Sequence, residues 1–278
     1  MRIFAPAKVN LALHVTGRRD DGYHLLDSLV VFAGTGDWLD IAPAPELRFS
    51  VSGPRARGVP ADASNLVWRA ADAFRSGRGA AILLDKHLPH AGGIGGGSAD
   101  AGAAMRGLAV LWGMPAPSLA DQLAIGADIP VCLASRPARM RGIGEVLDPV
   151  PPMPGLWLVL VNPGVEVPTG PVFKALPAVD NAPMPVPAWT DAEGLIGWLR
   201  DTRNDLEDAA CSLVPQVSDV LEALSRGGGC RLARMSGSGG TCFGLFTGEA
   251  EAREAAARLR GERPDWWVAA APVLRDAP

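Results

Sequence analysis

The chain has 278 residues, 48% of them hydrophobic and 20% charged, with a formal net charge of -4. That length suits two packed lobes, and that hydrophobic share excludes global disorder. Lys and Arg are spread along a slightly acidic chain, which excludes nucleic acid or an anionic membrane surface as the main partner, and no apolar run nears the roughly 18–20 residues of a bilayer span.

In chain order, residues 3–16 alternate loosely and carry β-branched side chains, which predicts a strand or a hairpin. Residues 29–32 and 38–41 read as two further strands, parted by the turn signal Gly34-Thr35-Gly36-Asp37. Residues 65–74 have helical apolar spacing with Ser64 or Asn65 as N-cap, and residues 80–84 form a short apolar strand. Ala101, Ala104, Met105, Leu108 and Leu111 then mark one face of a helix. Pro149, Pro151, Pro152 and Pro154 break the composition and set a lobe boundary, giving domains at 1–150 and 155–278. Beyond it, residues 156–161 and 242–246 and 267–271 read as strands. Residues 191–200, 217–225 and 249–259 read as helices, and the proline-rich stretch 177–187 as a surface loop. Strands and helices mix without regular βαβ spacing, which predicts an α+β fold.

Arg2, Pro6, Lys8 and Asn10 interrupt any secretory apolar segment, and Cys132, Cys211, Cys230 and Cys242 form no CxxC. A cytoplasmic protein with reduced cysteines is expected. His87 and His90 flank Pro89 with no further His or Cys nearby, so no metal site is expected there.

The most informative segment lies between the strand at 80–84 and the helix after it: Gly92-Gly93-Ile94-Gly95-Gly96-Gly97-Ser98. Without Cβ atoms this backbone can take positive φ and approach a ligand closely, and the following helix N-terminus adds partial positive charge. Phosphate is the natural guest. A Walker A loop would end in Gly-Lys-Ser/Thr, and no lysine stands here. The dinucleotide pattern GxGxxG fails because the third position, counted from Gly93, is Ser98. A second cluster, Ser236-Gly237-Ser238-Gly239-Gly240-Thr241, is either a tight turn or a cover for a nucleotide held by the first.

Several segments together resemble one family. They are Pro6-Ala7-Lys8-Val9-Asn10-Leu11, the stretch from Thr16-Gly17 to Gly22-Tyr23-His24, Leu88-Pro89 with the glycine loop, and Gly126-Ala127-Asp128-Ile129-Pro130. Asn162-Pro163-Gly164, Pro168-Thr169 and the loop 236–240 complete the set. In this order, across nearly the whole chain, they resemble the GHMP kinase superfamily, and within it the kinases of cytidylylated methylerythritol in the non-mevalonate isoprenoid pathway. The resemblance implies a two-lobed α+β fold, with an amino-terminal lobe like ribosomal protein S5 domain 2 and a ferredoxin-like second lobe. It implies transfer of the γ-phosphoryl group of ATP, accompanied by Mg²⁺, to the 2-hydroxyl of a small cytidylylated sugar-alcohol; the sequence leaves monomer and homodimer both open. Lys8 and Asp128 match the catalytic pair. The ATP loop matches Pro89, His90, Ala91, Gly92, Gly93, Ile94, Gly95, Gly96, Gly97, Ser98 and Ala99. Asn10, Tyr23, His24, Thr169 and Phe173 match the substrate site. Ala99 stands where the family often has a second serine, Ala91 where glycine is common and Ile94 where leucine is common.

The residue types agree with that chemistry. A carboxylate can accept the proton of a poorly nucleophilic alcohol, and a neighbouring lysine keeps it ionised and offsets charge developing on the phosphoryl group. Plainer readings stand beside these: Lys8 as a solvated strand charge, Asp128 as an N-cap before Pro130, Tyr23 and His24 as packing. The competing functions are a GHMP kinase for a base-free alcohol, a nucleotide-binding regulator without catalysis, and a dinucleotide oxidoreductase.

Overall fold

The computed structural model describes residues 1–90, 92–226 and 228–277. The chain opens with β1 (Arg2–Arg18), β2 (His24–Pro43), β3 (Leu47–Ser52), α1 (Leu66–Asp72), β4 (Ala80–Asp85) and α2 (Gly96–Trp112). Then come α3 (Leu119–Ile125), α4 (Ile129–Ala134), β5 (Ala138–Gly142) and β6 (Val146–Asp148). After the proline-rich break follow β7 (Trp157–Asn162), α5 (Thr169–Lys174), α6 (Ala192–Arg200), α7 (Glu207–Leu213) and α8 (Gln216–Ser225). The chain continues through β8 (Leu232–Met235), β9 (Cys242–Phe246), α9 (Glu249–Glu262) and β10 (Trp267–Leu274).

Two strands were expected between residues 29 and 41, and one long strand, β2, is found instead, pairing antiparallel with β1 along its length. Gly34 and Gly36 are places of close approach rather than a turn. A Cβ on Gly36 would lie 2.2 Å from the Ala5 carbonyl oxygen, and one on Gly34 would lie 2.9 Å from the Pro272 ring. Likewise, residues 3–16 form a single strand rather than a hairpin. Asn65, not Ser64, caps α1 by accepting from the Val67 amide. The stretch 177–187 is a loop but not a purely superficial one. Met184 is buried and its amide donates to Asp27 Oδ2, a carboxylate that Arg139 holds through two bonds of 2.7 and 2.6 Å.

The main strands follow the order β3-β4-β2-β10-β7-β9-β8. Within the second half, β7, β8, β9 and β10 take spatial order 4-1-3-2 with helices between the first and second and the third and fourth, which is the ferredoxin-like arrangement. β10 pairs with β7 through residues 267–272 and with β2 through Val273 and Leu274, so one sheet runs through both halves. Ala101, Ala104, Met105 and Leu108 of α2 are buried against Phe32, Leu39 and Ile41 of β2, while Leu111 is only half-buried. A second core joins Val9 and Leu11 of β1 to Leu158, Leu160, Phe243 and Leu195 of the second half. Each such side chain contributes about 1.5–3 kcal/mol on burial. Among the described residues, no helix is long and apolar enough to cross a membrane.

Candidate active site

The ladder between β1 and β2 slips between Pro6 and Lys8, which turns the strand locally. The Lys8 amide donates to the Ile94 carbonyl at 3.0 Å, and its aliphatic stem runs beside Gly95, where a Cβ would stand 3.1 Å from Lys8 Cβ. The buried Lys8 Nζ then donates to Asp128 Oδ2 at 2.8 Å. Asp128 occupies the N-cap position of α4 but does not cap it; its carboxyl group is spent on Lys8. Residues 120 apart in the chain thus form one ion pair, and the solvated-charge reading of Lys8 does not hold.

Above that pair runs the glycine loop. Gly93 and Gly95 take positive φ, 68° and 59°, and α2 begins at Gly96 with no side chain capping its N-terminus. The helix therefore starts inside the glycine run, and Gly96, Gly97 and Ser98 form its first turn with amides free of helical partners. Ile94 and Ala99 turn inward and are buried. Ala91 lies outside the described residues. Pro89 and His90 border the cleft, and His90 Nε2 stands 3.2 Å from the Arg55 carbonyl.

The second glycine cluster docks directly on the first. The Thr241 amide donates to the Gly92 carbonyl at 2.9 Å, and Ser236 Oγ donates to the Gly93 carbonyl at 3.0 Å while accepting from the Asn10 amide. A Cβ on Gly93 would lie 2.4 Å from the Ser236 carbonyl oxygen. Asn204 fixes the outer loop by donating to the Met235 and Gly237 carbonyls. The second cluster is a tight turn, closed by the Gly239 amide donating to the Ser236 carbonyl at 3.1 Å, and it packs on the first.

Two cavities meet here. One, of about 480 Å³, is lined by the glycine loop, Lys86, Asp100 and Asn65. The other, of about 660 Å³, is lined by Asn10, Tyr23, His24, Met140 and Phe173. Lys8, Ser98, Asp128, Thr169, Gly237 and Ser238 border both. In the second cavity His24 and Phe173 stack with ring centroids 4.6 Å apart at 26°, and burial followed by the Arg18 charge lowers the His24 pKa. Tyr23 is 58% exposed at the rim. Thr169 Oγ1 and Ser238 Oγ share a hydrogen bond of 2.8 Å. Asn10 Nδ2 donates to Ser28 Oγ, leaving its Oδ1 buried without a protein partner. All the expected positions within the described residues therefore border these cavities, except Ile94 and Ala99, whose side chains enter the core.

Sequence reasoning missed Lys86, Asp37 and Asp100, which form a buried cluster under the loop. The signal available was Lys86 directly after an apolar strand and before Leu88-Pro89. The cavity cations Arg18 and Lys174 were also missed.

Comparison with known proteins agrees with this geometry. Residues 65–136 match the GHMP kinases N terminal domain, and residues 189–264 match the family described as GHMP kinases C terminal. The 4-diphosphocytidyl-2-C-methyl-D-erythritol kinase of Jannaschia sp. (strain CCS1) is 64% identical over 99% of this chain and 98% of that protein. The enzyme of the same name from Cereibacter sphaeroides (strain ATCC 17025 / ATH 2.4.3) is 56% identical over 95% and 96%. A crystal structure of 4-(cytidine 5'-diphospho)-2C-methyl-D-erythritol kinase superposes with a TM-score of 0.81 at 34% identity, covering 98% of this chain and 99% of that one. With its two glycine loops closed over a lysine–aspartate pair and this similarity along its whole length, the chain belongs to the 4-diphosphocytidyl-2-C-methyl-D-erythritol kinase family of the GHMP kinases.

Proposed function

We propose that this chain transfers the γ-phosphoryl group of ATP to the 2-hydroxyl of 4-diphosphocytidyl-2-C-methyl-D-erythritol, as a cytoplasmic enzyme of non-mevalonate isoprenoid precursor biosynthesis. The observation that carries the reading is the Lys8–Asp128 ion pair at the junction of the two cavities. The triphosphate lies along Gly92–Ser98, its oxygens taking the backbone amides and the N-terminal field of α2. Asp128 accepts the proton of the alcohol as its oxygen attacks the γ-phosphorus. The bond from that phosphorus to the β–γ bridging oxygen breaks, and ADP carries the electron pair away. Lys8 balances the charge gathered between the two reactants.

Among the described residues no group of three or more His, Cys, Asp or Glu is placed to hold a metal ion. Mg²⁺ would arrive on the ATP phosphates and supply charge neutralisation there, beside Ser98 in the first turn of α2. The apolar second cavity with Tyr23, His24 and Phe173 suits a pyrimidine, whose flat face stacks on rings and whose edge offers hydrogen-bonding groups. Lobes at 1–150 and 155–278 contribute one wall each, with Thr169 and Phe173 from the second.

The test is ATP consumption against a panel of alcohols with and without a cytidine diphosphate group. Turnover confined to the cytidylylated alcohol, and reduced about 10²–10⁴-fold in Asp128→Asn with ATP affinity little changed, is the expected result. Equal turnover on homoserine, mevalonate or a simple sugar overturns the substrate assignment, and full activity of Asp128→Asn overturns the base.

A further inference from the structure

Beneath the glycine loop lies a charge cluster that the phosphoryl-transfer scheme does not use. Lys86 Nζ donates to Asp37 Oδ2 at 2.5 Å and to Asp100 Oδ2 at 2.7 Å, and all three side chains are buried. Asp37, on β2, also accepts from the amides of His87 and Leu88 at 2.5 and 2.8 Å, so it pins the chain where it enters the loop. Asp100, in the second turn of α2, is where the chain leaves it. The same ammonium therefore ties both ends of the loop to one strand. It also passes directly under the helix N-terminus, for a Cβ on Gly96 would stand 3.2 Å from Lys86 Nζ. Asp100 Oδ1 is buried with no protein partner.

We propose that Asp37 and Asp100 are positioning residues of the nucleotide loop, acting through Lys86, and that Asp100 is protonated when the triphosphate binds. This rests on the nucleotide-site reading above. With both carboxylates ionised the cluster carries a net negative charge under the seat of a polyanion. With a proton on Asp100 it is neutral, and the loop amides and helix N-terminus act unopposed. Burial drives the Asp100 pKa up, Lys86 opposes it and Asp37 reinforces it, to about 8. For Lys86, burial disfavours the ammonium, but Asp100 and Asp37 outweigh it and raise the pKa. Around them, α4 presents Cys132, kept a thiol by burial, and α2 presents Arg106, whose guanidinium is spent on the Cys132, Leu133 and Phe4 carbonyls. Lys8 on β1 is already paired with Asp128. Both Asp37 oxygens accept hydrogen bonds while Asp100 Oδ1 accepts none, so Asp100 is the carboxyl of the cluster placed to carry a proton.

The sign follows from linkage. Ionisation of Asp100 opposes the anion, so nucleotide binding takes up protons near pH 8 and weakens as pH rises further. The experiment is calorimetric titration of the wild-type chain and Asp100→Asn with a non-hydrolysable ATP analogue and Mg²⁺, from pH 7 to 9.5, in two buffers of different ionisation heat. The wild type should take up a fraction of a proton near pH 8, its Kd rising toward tenfold per pH unit above that point. Asp100→Asn, which keeps the shape and an acceptor oxygen, should lose this proton uptake and give a flatter Kd. Asp37→Asn should raise KM for ATP several-fold while KM for the alcohol moves less than twofold, a split that general destabilisation does not produce. Identical pH profiles and proton uptake in wild type and Asp100→Asn overturn the inference while the nucleotide site stands. Failure of the wild-type chain to bind the analogue at any pH overturns the nucleotide-site reading itself.

Discussion

Gly102→Ala tests whether the distance between two helices sets the position of Asp128, the carboxylate proposed as the base. Gly102 faces α4 from the middle of α2, and an added Cβ would stand 2.7 Å from both the carbonyl carbon and the oxygen of Cys132. That is about 0.7 Å short of the 3.4 Å at which ordinary contact begins, and the obstacle is backbone rather than a side chain that can swing away. Arg106 holds the Cys132 carbonyl from the same helix at 2.9 Å, so α4 must move as a body or lose that bond. The Cys132 amide in turn bonds the Asp128 carbonyl at 3.1 Å, so a displaced α4 carries Asp128 with it. Overpacking of this kind costs about 1–3 kcal/mol. A shift of most of an ångström at a reacting group lowers turnover by roughly ten- to a hundredfold. Thermal melts and kcat for Gly102→Ala should both fall. Gly107→Ala is the control on the same helix, because its Cβ meets the Ile41 Cδ1 methyl, which can rotate. Wild-type kcat in Gly102→Ala, with the melting temperature unchanged, would refute the reasoning.

Further outcomes follow from the same contacts. Gly93→Ala combines a positive φ with a clash against the Ser236 carbonyl, so it should separate the two glycine loops and weaken ATP-analogue binding by at least tenfold in calorimetry. Phe173→Ala removes the ring stacked on His24 and should raise KM for a cytidylylated alcohol roughly 5–150-fold on the scale of base–aromatic stacking, with KM for ATP nearly constant. An equal rise in both constants would make Phe173 a packing residue. His14 is buried, with Nδ1 near the Ala182 carbonyl and Nε2 accepting from the Arg203 amide, and burial lowers its pKa. The folded state thus prefers neutral His14, so its contribution is full above the ordinary value near 6.5 and is lost as pH falls through the lower folded value. Chemical denaturation from pH 7.5 to 5 should show this loss, and His14→Gln should reduce the slope.

The sequence told most about the site and least about the long strands. Lys8, Asp128 and the glycine run were legible because each sits in a short string whose chemistry is local: missing Cβ atoms, a cation in apolar company, a carboxylate before a proline. The two glycines of β2 misled for the same reason. Gly34 and Gly36 carry a turn signal by composition, yet their smallness answers to Pro272 and to the Ala5 carbonyl, neighbours that no local pattern reveals. Lys86, Asp37 and Asp100 were invisible because a buried charge looks like a solvated one until its partners, up to 49 residues away, arrive. Met184 in its proline-rich loop was hidden similarly, since its burial depends on the Asp27–Arg139 pair across the lobe boundary.

The double pairing of β10 has a consequence for the order in which this protein can be made. The strands that carry Lys8 and its surroundings leave the ribosome first, yet β2 receives Val273 and Leu274 only when nearly the whole chain has emerged. Until then β2 and β7 each lack a neighbour, and the second core lacks Ala271 and Val273. Synthesis at about 5–20 residues per second leaves such a chain half-joined for roughly ten seconds or more, long enough for a chaperone to matter. A cut that removes only β10 should therefore unseat both halves, and early-emerging residues should gain protease resistance late, together with the last strand.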